Sequence, residues 1–176
     1  NEKFKIIQHL KSANQKKIVS SNISKVDEYV VSYSASERVR SFLKVQDGCD
    51  YTCSYCTIPR ARGRSRSGSI DEIVSIANKI KDQDVKELVL SGINIGDFGK
   101  GNNEKLYDLI TRLDKKVSIP RYRISSIEPN LLSDDLIDLI NKTDSFVPHF
   151  HIPLQSGSNK VLKSMQRRYS TDRYRE

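Results

Sequence analysis

From Ser41 onward the apolar residues switch repeatedly between two spacings. Phe42-Leu43-Lys44-Val45 is a short strand-like run. Ile70, Ile73, Val74, Ala77 and Ile80 then recur at helical spacing, after Ser69 as a cap and with Asp71 and Glu72 in the first turn. Leu88-Val89-Leu90 forms a second strand, stopped by Ser91-Gly92, and Leu106, Leu109, Ile110 and Leu113 mark a second helix. Arg123-Ile124-Ser125-Ser126 is the tail of a third strand entered after Pro120. Ser133 caps a third helix whose apolar face is Leu136, Ile137, Leu139 and Ile140. Pro148-His149-Phe150-His151-Ile152 begins a fourth strand, and a fourth helix follows Ser158 through Val161, Leu162 and Met165. Strand and helix in alternation predict parallel strands joined by crossovers, so the class is α/β.

Four such units are too few for a closed eight-fold barrel, which takes roughly 250 residues. A partial βα barrel, cut at its C-terminal side, is expected. Residues before Ser41 stand outside the alternation: Phe4 to Leu10 can form a helix, and Lys17-Ile18-Val19 and Tyr29-Val30-Val31 short strands. Residues 1–36 are therefore read as the tail of a preceding domain plus a linker, and 37–176 as an incomplete core. The chain does not begin with Met and is expected to be a segment of a longer protein.

Composition narrows the class further. With 36% hydrophobic and 30% charged residues the chain sits with globular proteins. No run approaches the roughly 18 apolar residues of a membrane span, and no secretory signal opens the chain. A cytoplasmic protein without a membrane partner is expected. The net charge of +8 favours a polyanionic partner such as nucleic acid.

All three cysteines lie between Cys49 and Cys56. An odd, tight cluster makes a poor disulfide framework and points to metal. Thiolates select iron–sulfur clusters or zinc. In the first case Cys49-x3-Cys53-x2-Cys56 fills three corners of a cubane and leaves the fourth iron open, where the amine and carboxylate of an amino acid could chelate. In the second, a structural zinc site would take a distant fourth ligand. His149 or His151 could serve, on one side of the fourth strand. The loop leaves the C-terminal end of the first strand, the edge at which βα folds assemble sites.

This triplet, with Tyr55 before its last cysteine and on the first loop of a βα repeat, resembles the radical S-adenosylmethionine (SAM) superfamily. The resemblance implies that Cys49, Cys53 and Cys56 hold a 4Fe–4S cluster, that SAM occupies the open iron, and that Tyr55 lies against the adenine. Further segments are similar to the methylthiotransferases of that superfamily. They are Gln46-Asp47-Gly48-Cys49, Cys56 through Gly63, His149 through Ser158, and Met165-Gln166-Arg167-Arg168-Tyr169. Within that group, residues 90–99 and 123–129 look most like the branch acting on threonylcarbamoyladenosine beside the tRNA anticodon. Branches acting on isopentenyladenosine in tRNA or on a ribosomal protein fit less well. Gly68-Ser69 departs from the family, where Arg-Pro is frequent. The resemblance also implies a second 4Fe–4S cluster on an N-terminal domain and an RNA-binding β-barrel at the C-terminus, neither within this sequence, so the segment alone is expected to be inactive. A tRNA substrate, an electron donor such as flavodoxin or ferredoxin, and a monomer complete that expectation. A zinc-stapled RNA-binding module is the alternative from a different class.

Beyond the cysteines, Gly92, Asn94, Ser126, Glu128 and Gln155 fall at or just past strand ends and are candidates for binding SAM or substrate. Glycine at 92 would let the backbone come close to a ligand. Glu128 could instead pair with Arg123, and His151 could be a hydrogen-bonded residue of the barrel mouth. Arg60, Arg62, Arg64 and Arg66 occupy every second position. In an extended segment they would make a one-sided, phosphate-facing stripe for RNA.

Overall fold

In the computed structural model the described residues are 2–11, 18, 20–34 and 39–176. After a 3-10 turn at Glu2–Lys5 comes α1 (Ile6–Lys11), then β1 (Ser32–Tyr33), β2 (Arg40–Lys44) and β3 (Gln46–Asp47). The chain continues through α2 (Ile58–Arg62), β4 (Arg66–Ser67), α3 (Ile70–Lys81), β5 (Glu87–Ser91), α4 (Leu106–Lys116) and β6 (Arg121–Ile124). It ends with α5 (Asp134–Lys142), α6 (Asn159–Ser164) and α7 (Thr171–Arg175).

The main sheet has the order β1-β2-β5-β6. β2, β5 and β6 are parallel, with Leu43 opposite Leu90 and Leu90 opposite Ile124. Side chains alternate across a strand. One face therefore carries Leu43, Leu88, Leu90, Tyr122 and Ile124, all in the core. Ile73, Ala77 and Ile80 of α3, Leu109, Ile110 and Leu113 of α4, and Leu136 and Ile140 of α5 cover it. The caps predicted for two of these helices form: Ser69 Oγ accepts from Glu72 N, and Ser133 Oγ from Leu136 N. Glu104 adds a carboxylate at the start of α3, accepting from Ile70 N at 3.1 Å. On the opposite face Phe42 is 48% exposed. Beside it Glu87 takes ion pairs from Arg40, Arg121 and Arg123. A sheet covered by helices on one face only is the wall of an incomplete barrel.

Residues 148–152 do not form a fourth strand; among the described residues, isolated bridges to β6 and its extension are Tyr122–Phe146 and Ser126–His151. Pro148 offers no N–H to a ladder, and His149 N turns back onto Val147 O at 2.7 Å. His149 and His151 consequently do not share one side of a strand. The predicted strand at Tyr29-Val30-Val31 is displaced to Ser32–Tyr33, which pairs antiparallel with β2 and extends the sheet edge. The strand expected at 17–19 and the boundary at residue 36 lie outside the described residues, since 17, 19 and 35–38 are not among them. α2 and α7 were not foreseen. No helix among the described residues is long and apolar enough to cross a membrane.

Candidate active site at the cysteine loop

β3 and β4 pair antiparallel, Gln46 with Ser67 and Asp47 with Arg66. The eighteen-residue excursion between them, numbers 48 to 65, is thus closed at its base. Cys49 N donates to Gly63 O at 3.1 Å just inside that closure. Gly48 makes the turn with φ at +71°, and a β-carbon there would lie 1.9 Å from Arg64 O. Both conditions admit only glycine.

Two buried polar residues of β3 organise the loop. Gln46, fully buried, donates from Nε2 to Gly48 O and Ser65 Oγ, while its Oε1 accepts from Ile93 N and Asn94 N at 2.9 Å. One side chain therefore ties the loop to the end of β5. Gly92 sits where it does because Gln46 needs the room: a β-carbon there would be 3.0 Å from Gln46 Oε1. Asp47 accepts from Gly48 N and pairs with Arg62 at 3.1 Å, Arg66 at 3.4 Å and Lys44 at 3.5 Å. Burial pushes its carboxyl up, but the Gly48 N–H and these three cations outweigh it, so its pKa lies below the ordinary value.

Cys49, Cys53 and Cys56 are free thiols. Cys56 N donates to Cys53 O, and Tyr51 N donates to Cys49 Sγ at 3.4 Å. Burial first, then the fields of Asp97 and the other two cysteines, holds the Cys49 thiol above its usual pKa despite the Tyr51 N–H. A cleft of about 320 Å³ opens on this loop, lined by residues 51–57 with Pro59 and Arg60. Among the described residues, no three His, Cys, Asp or Glu side chains are grouped to hold a single metal ion. His151 instead shares a 2.6 Å hydrogen bond with Ser126 Oγ. The donor set, three soft thiols on one short loop and none in a disulfide, suits a thiolate-bound iron–sulfur cluster.

The C-terminal segment closes over the loop. Ser54 N donates to Met165 O, Arg168 stacks over Tyr51 with its guanidinium carbon 4.0 Å from the ring centre, and Asn130 Nδ2 donates to Tyr51 Oη. Arg167 donates from Nη1 to Cys53 Sγ at 3.2 Å and to Tyr55 Oη at 3.1 Å, and from Nη2 to Glu128. Glu128 therefore pairs with Arg167, and not with Arg123, which belongs to Glu87.

Of the residues singled out from sequence, the structure brings Cys53, Tyr55 and Glu128 together around Arg167. It brings Gly92 and Asn94 together around Gln46. Asn94 is buried, its Nδ2 donating to Asp97 and its Oδ1 without a partner among the described residues. Ser126 is turned to His151, and Gln155 is exposed in a left-handed conformation, φ +62°. The one-sided arginine stripe is not formed. Arg60 and Arg62 lie on the helix α2, and Arg66 turns inward to Asp47 and to the carbonyls of Glu28, Arg62 and Arg64. Arg60 and Arg64 remain exposed. Gln46, Asp47 and Arg167 were missed as functional side chains; all three stand in the quoted motif segments, but their partners are distant in sequence.

The Radical SAM superfamily matches residues 43–176. The threonylcarbamoyladenosine tRNA methylthiotransferase MtaB of Bacillus subtilis (strain 168) is 41% identical over 139 residues, 78% of this chain and 31% of the relative. That of Aquifex aeolicus (strain VF5) is 37% identical over 180 residues, 100% of this chain and 43% of the relative. A tRNA-2-methylthio-N(6)-dimethylallyladenosine synthase of Pelagibacter ubique (strain HTCC1062) is 32% identical over 173 residues, 96% and 39% of the two chains. The chain thus spans less than half the length of these relatives. In fold it is similar to the radical S-adenosylmethionine methyltransferase TsrM of Kitasatospora setae, with TM-score 0.61 at 13% identity, covering 76% of this chain and 27% of that one.

Proposed function

Because this chain belongs to the Radical SAM superfamily, we propose that Cys49, Cys53 and Cys56 hold three irons of a 4Fe–4S cluster whose fourth iron binds SAM. We further propose that the whole protein is a transferase adding a methylthio group to threonylcarbamoyladenosine in tRNA. The observation that carries the reading is the closed loop itself, with three free thiols presented between β3 and β4 at the strand ends. When bound, the cluster and SAM supply reductive SAM cleavage, and with it a radical able to take hydrogen from an unactivated C–H bond.

The residues of this chain bind and position. Gln46 holds the end of β5 against the loop, occupying the space beside Gly92 and the Asn94 N–H, and Gly92 and Asn94 are proposed to shape the strand end that meets SAM's amino-acid end. Tyr55, half exposed beside Cys56, offers a ring for the adenine. Ser126, Glu128 and Gln155 are the further candidates for SAM or substrate contact. Arg60 and Arg64, with Arg62 beside them, are the cations left to meet RNA phosphate. A second 4Fe–4S cluster, a flavodoxin or ferredoxin as electron donor, a cytoplasmic location and a monomeric state belong to the same proposal. So does the division into residues 1–36, the end of a preceding domain, and 37–176.

The adenosine bearing a threonylcarbamoyl group is favoured over the dimethylallyl one because relatives named for the former reach 44% identity, against 37% for a synthase named for the latter. Mass spectrometry of tRNA nucleosides from cells lacking the gene tests this. The methylthio form of threonylcarbamoyladenosine should disappear and return with the full-length gene, but not with Cys53→Ala. Loss of the methylthio dimethylallyl nucleoside instead would assign the other substrate.

A further inference from the structure

Arg167 stands 114 residues from Cys53, yet one guanidinium joins three groups of the site: Cys53 Sγ, Tyr55 Oη and Glu128. Its side chain is only 4% exposed. Burial opposes its charge, but the hydrogen bond and field of Glu128 more than offset this, so its pKa lies above that of an ordinary arginine. It also lies over the Tyr169 ring, 5.2 Å from the centroid. The fork is polarised in space: Nη1 faces the sulfur, while the neutralising carboxylate is held by the other branch, Nη2. Nε, also buried, has no partner among the described residues.

Resting on the cluster reading above, we infer that Arg167 is a positioning residue that sets the reduction potential of the cluster bound through Cys53. One-electron reduction, with the electron delivered by an external low-potential reductant, adds one negative charge to the cluster and its thiolates. A fixed cation with an N–H directed at a ligand sulfur stabilises that more negative state, and strongly where solvent is excluded. Glu128 acts through Arg167 by holding the fork's other branch and so aiming Nη1 at the sulfur.

The test is a potentiometric titration of the reconstituted full-length protein and its Arg167→Gln and Arg167→Lys variants. It is followed by the electron paramagnetic resonance signal that changes when SAM is added, which separates the cluster on Cys53 from the second one. Iron content and thermal melting are recorded alongside. A charged hydrogen bond of ordinary strength implies about a tenfold smaller reduced-to-oxidised ratio for Arg167→Gln at a given potential, equivalent to about 59 mV for one electron. Arg167→Lys keeps the charge but cannot bond sulfur, tyrosine and carboxylate together, so its midpoint should fall between the two. If Arg167→Gln does not fold or loses iron, the lysine variant decides: a lowered midpoint supports the inference and an unchanged one overturns it. Normal iron content with unchanged midpoints in both variants overturns the inference while leaving the cluster in place. Absence of iron from the unsubstituted protein overturns the cluster reading, and this inference with it.

Discussion

Asp47 carries more of the loop than its place in a two-residue strand suggests. Its carboxylate is buried and faces Arg62, Arg66 and Lys44, and Arg66 is itself nearly buried. Removing one partner of a buried pair leaves an uncompensated charge, which costs about 3 kcal/mol or more. Asp47→Asn should therefore lower stability at pH 7 by about that amount in urea unfolding. The sign of the pH effect follows from a carboxyl pKa held below its ordinary value. The stability it contributes is complete above about pH 4, the unfolded value, and is lost as pH falls through the lower native value. The gap between native protein and Asp47→Asn should thus be constant from about pH 5 to 7 and narrow below about pH 4. A gap that widened on acidification would mean that these cations do not hold the ionised form.

The helices α3, α4 and α5 form where their periodicity places them, because each buries one apolar stripe on the same sheet face. Ile73 is fully buried at the centre of the first of these stripes. Ile73→Ala should cost about 2 to 5 kcal/mol through lost burial and the cavity left behind. A melting temperature unchanged by this substitution would show that α3 does not pack as described. β2 and β5 were legible for a related reason, each being a short apolar run beside a turn signal. The segment 148–152 misled because its apolar residues suit a strand while Pro148 withholds the ladder's donor. The arginine spacing at 60–66 misled because Pro59, near the start of α2, begins a helical turn where an extended chain was expected. The cysteine triplet was legible because its ligands are local in sequence. Gln46, Glu128 and Arg167 were not legible as partners, since hydrogen bonds spanning 39 to 114 residues leave no mark in spacing.

At the scale of the molecule, parallel strands, helices on one face and a clamped loop bring the cysteines, the end of β5 and the 165–169 segment to one edge of the sheet. The exposed arginines lie on and beside α2, which leaves the same loop, so an RNA held by them would lie next to the cysteines. Neutralising Arg60 and Arg64 together in the full-length protein should reduce the slope of log binding constant against log salt for tRNA by about 1 to 2. The Arg66→Gln change should instead destabilise the fold, given that side chain's inward bonds. An unaltered slope would remove α2 from the RNA contact. Radical SAM chemistry at Cys49, Cys53 and Cys56 is measured as the formation of 5′-deoxyadenosine. The full-length protein, reconstituted anaerobically with iron and sulfide, is mixed with SAM and a low-potential reductant, and the nucleoside is quantified by chromatography. 5′-Deoxyadenosine should accumulate with the native protein and fall to background with Cys49→Ala, Cys53→Ala or Cys56→Ala. Stoichiometric zinc without iron, or equal 5′-deoxyadenosine from native and substituted proteins, would contradict radical SAM chemistry at these cysteines.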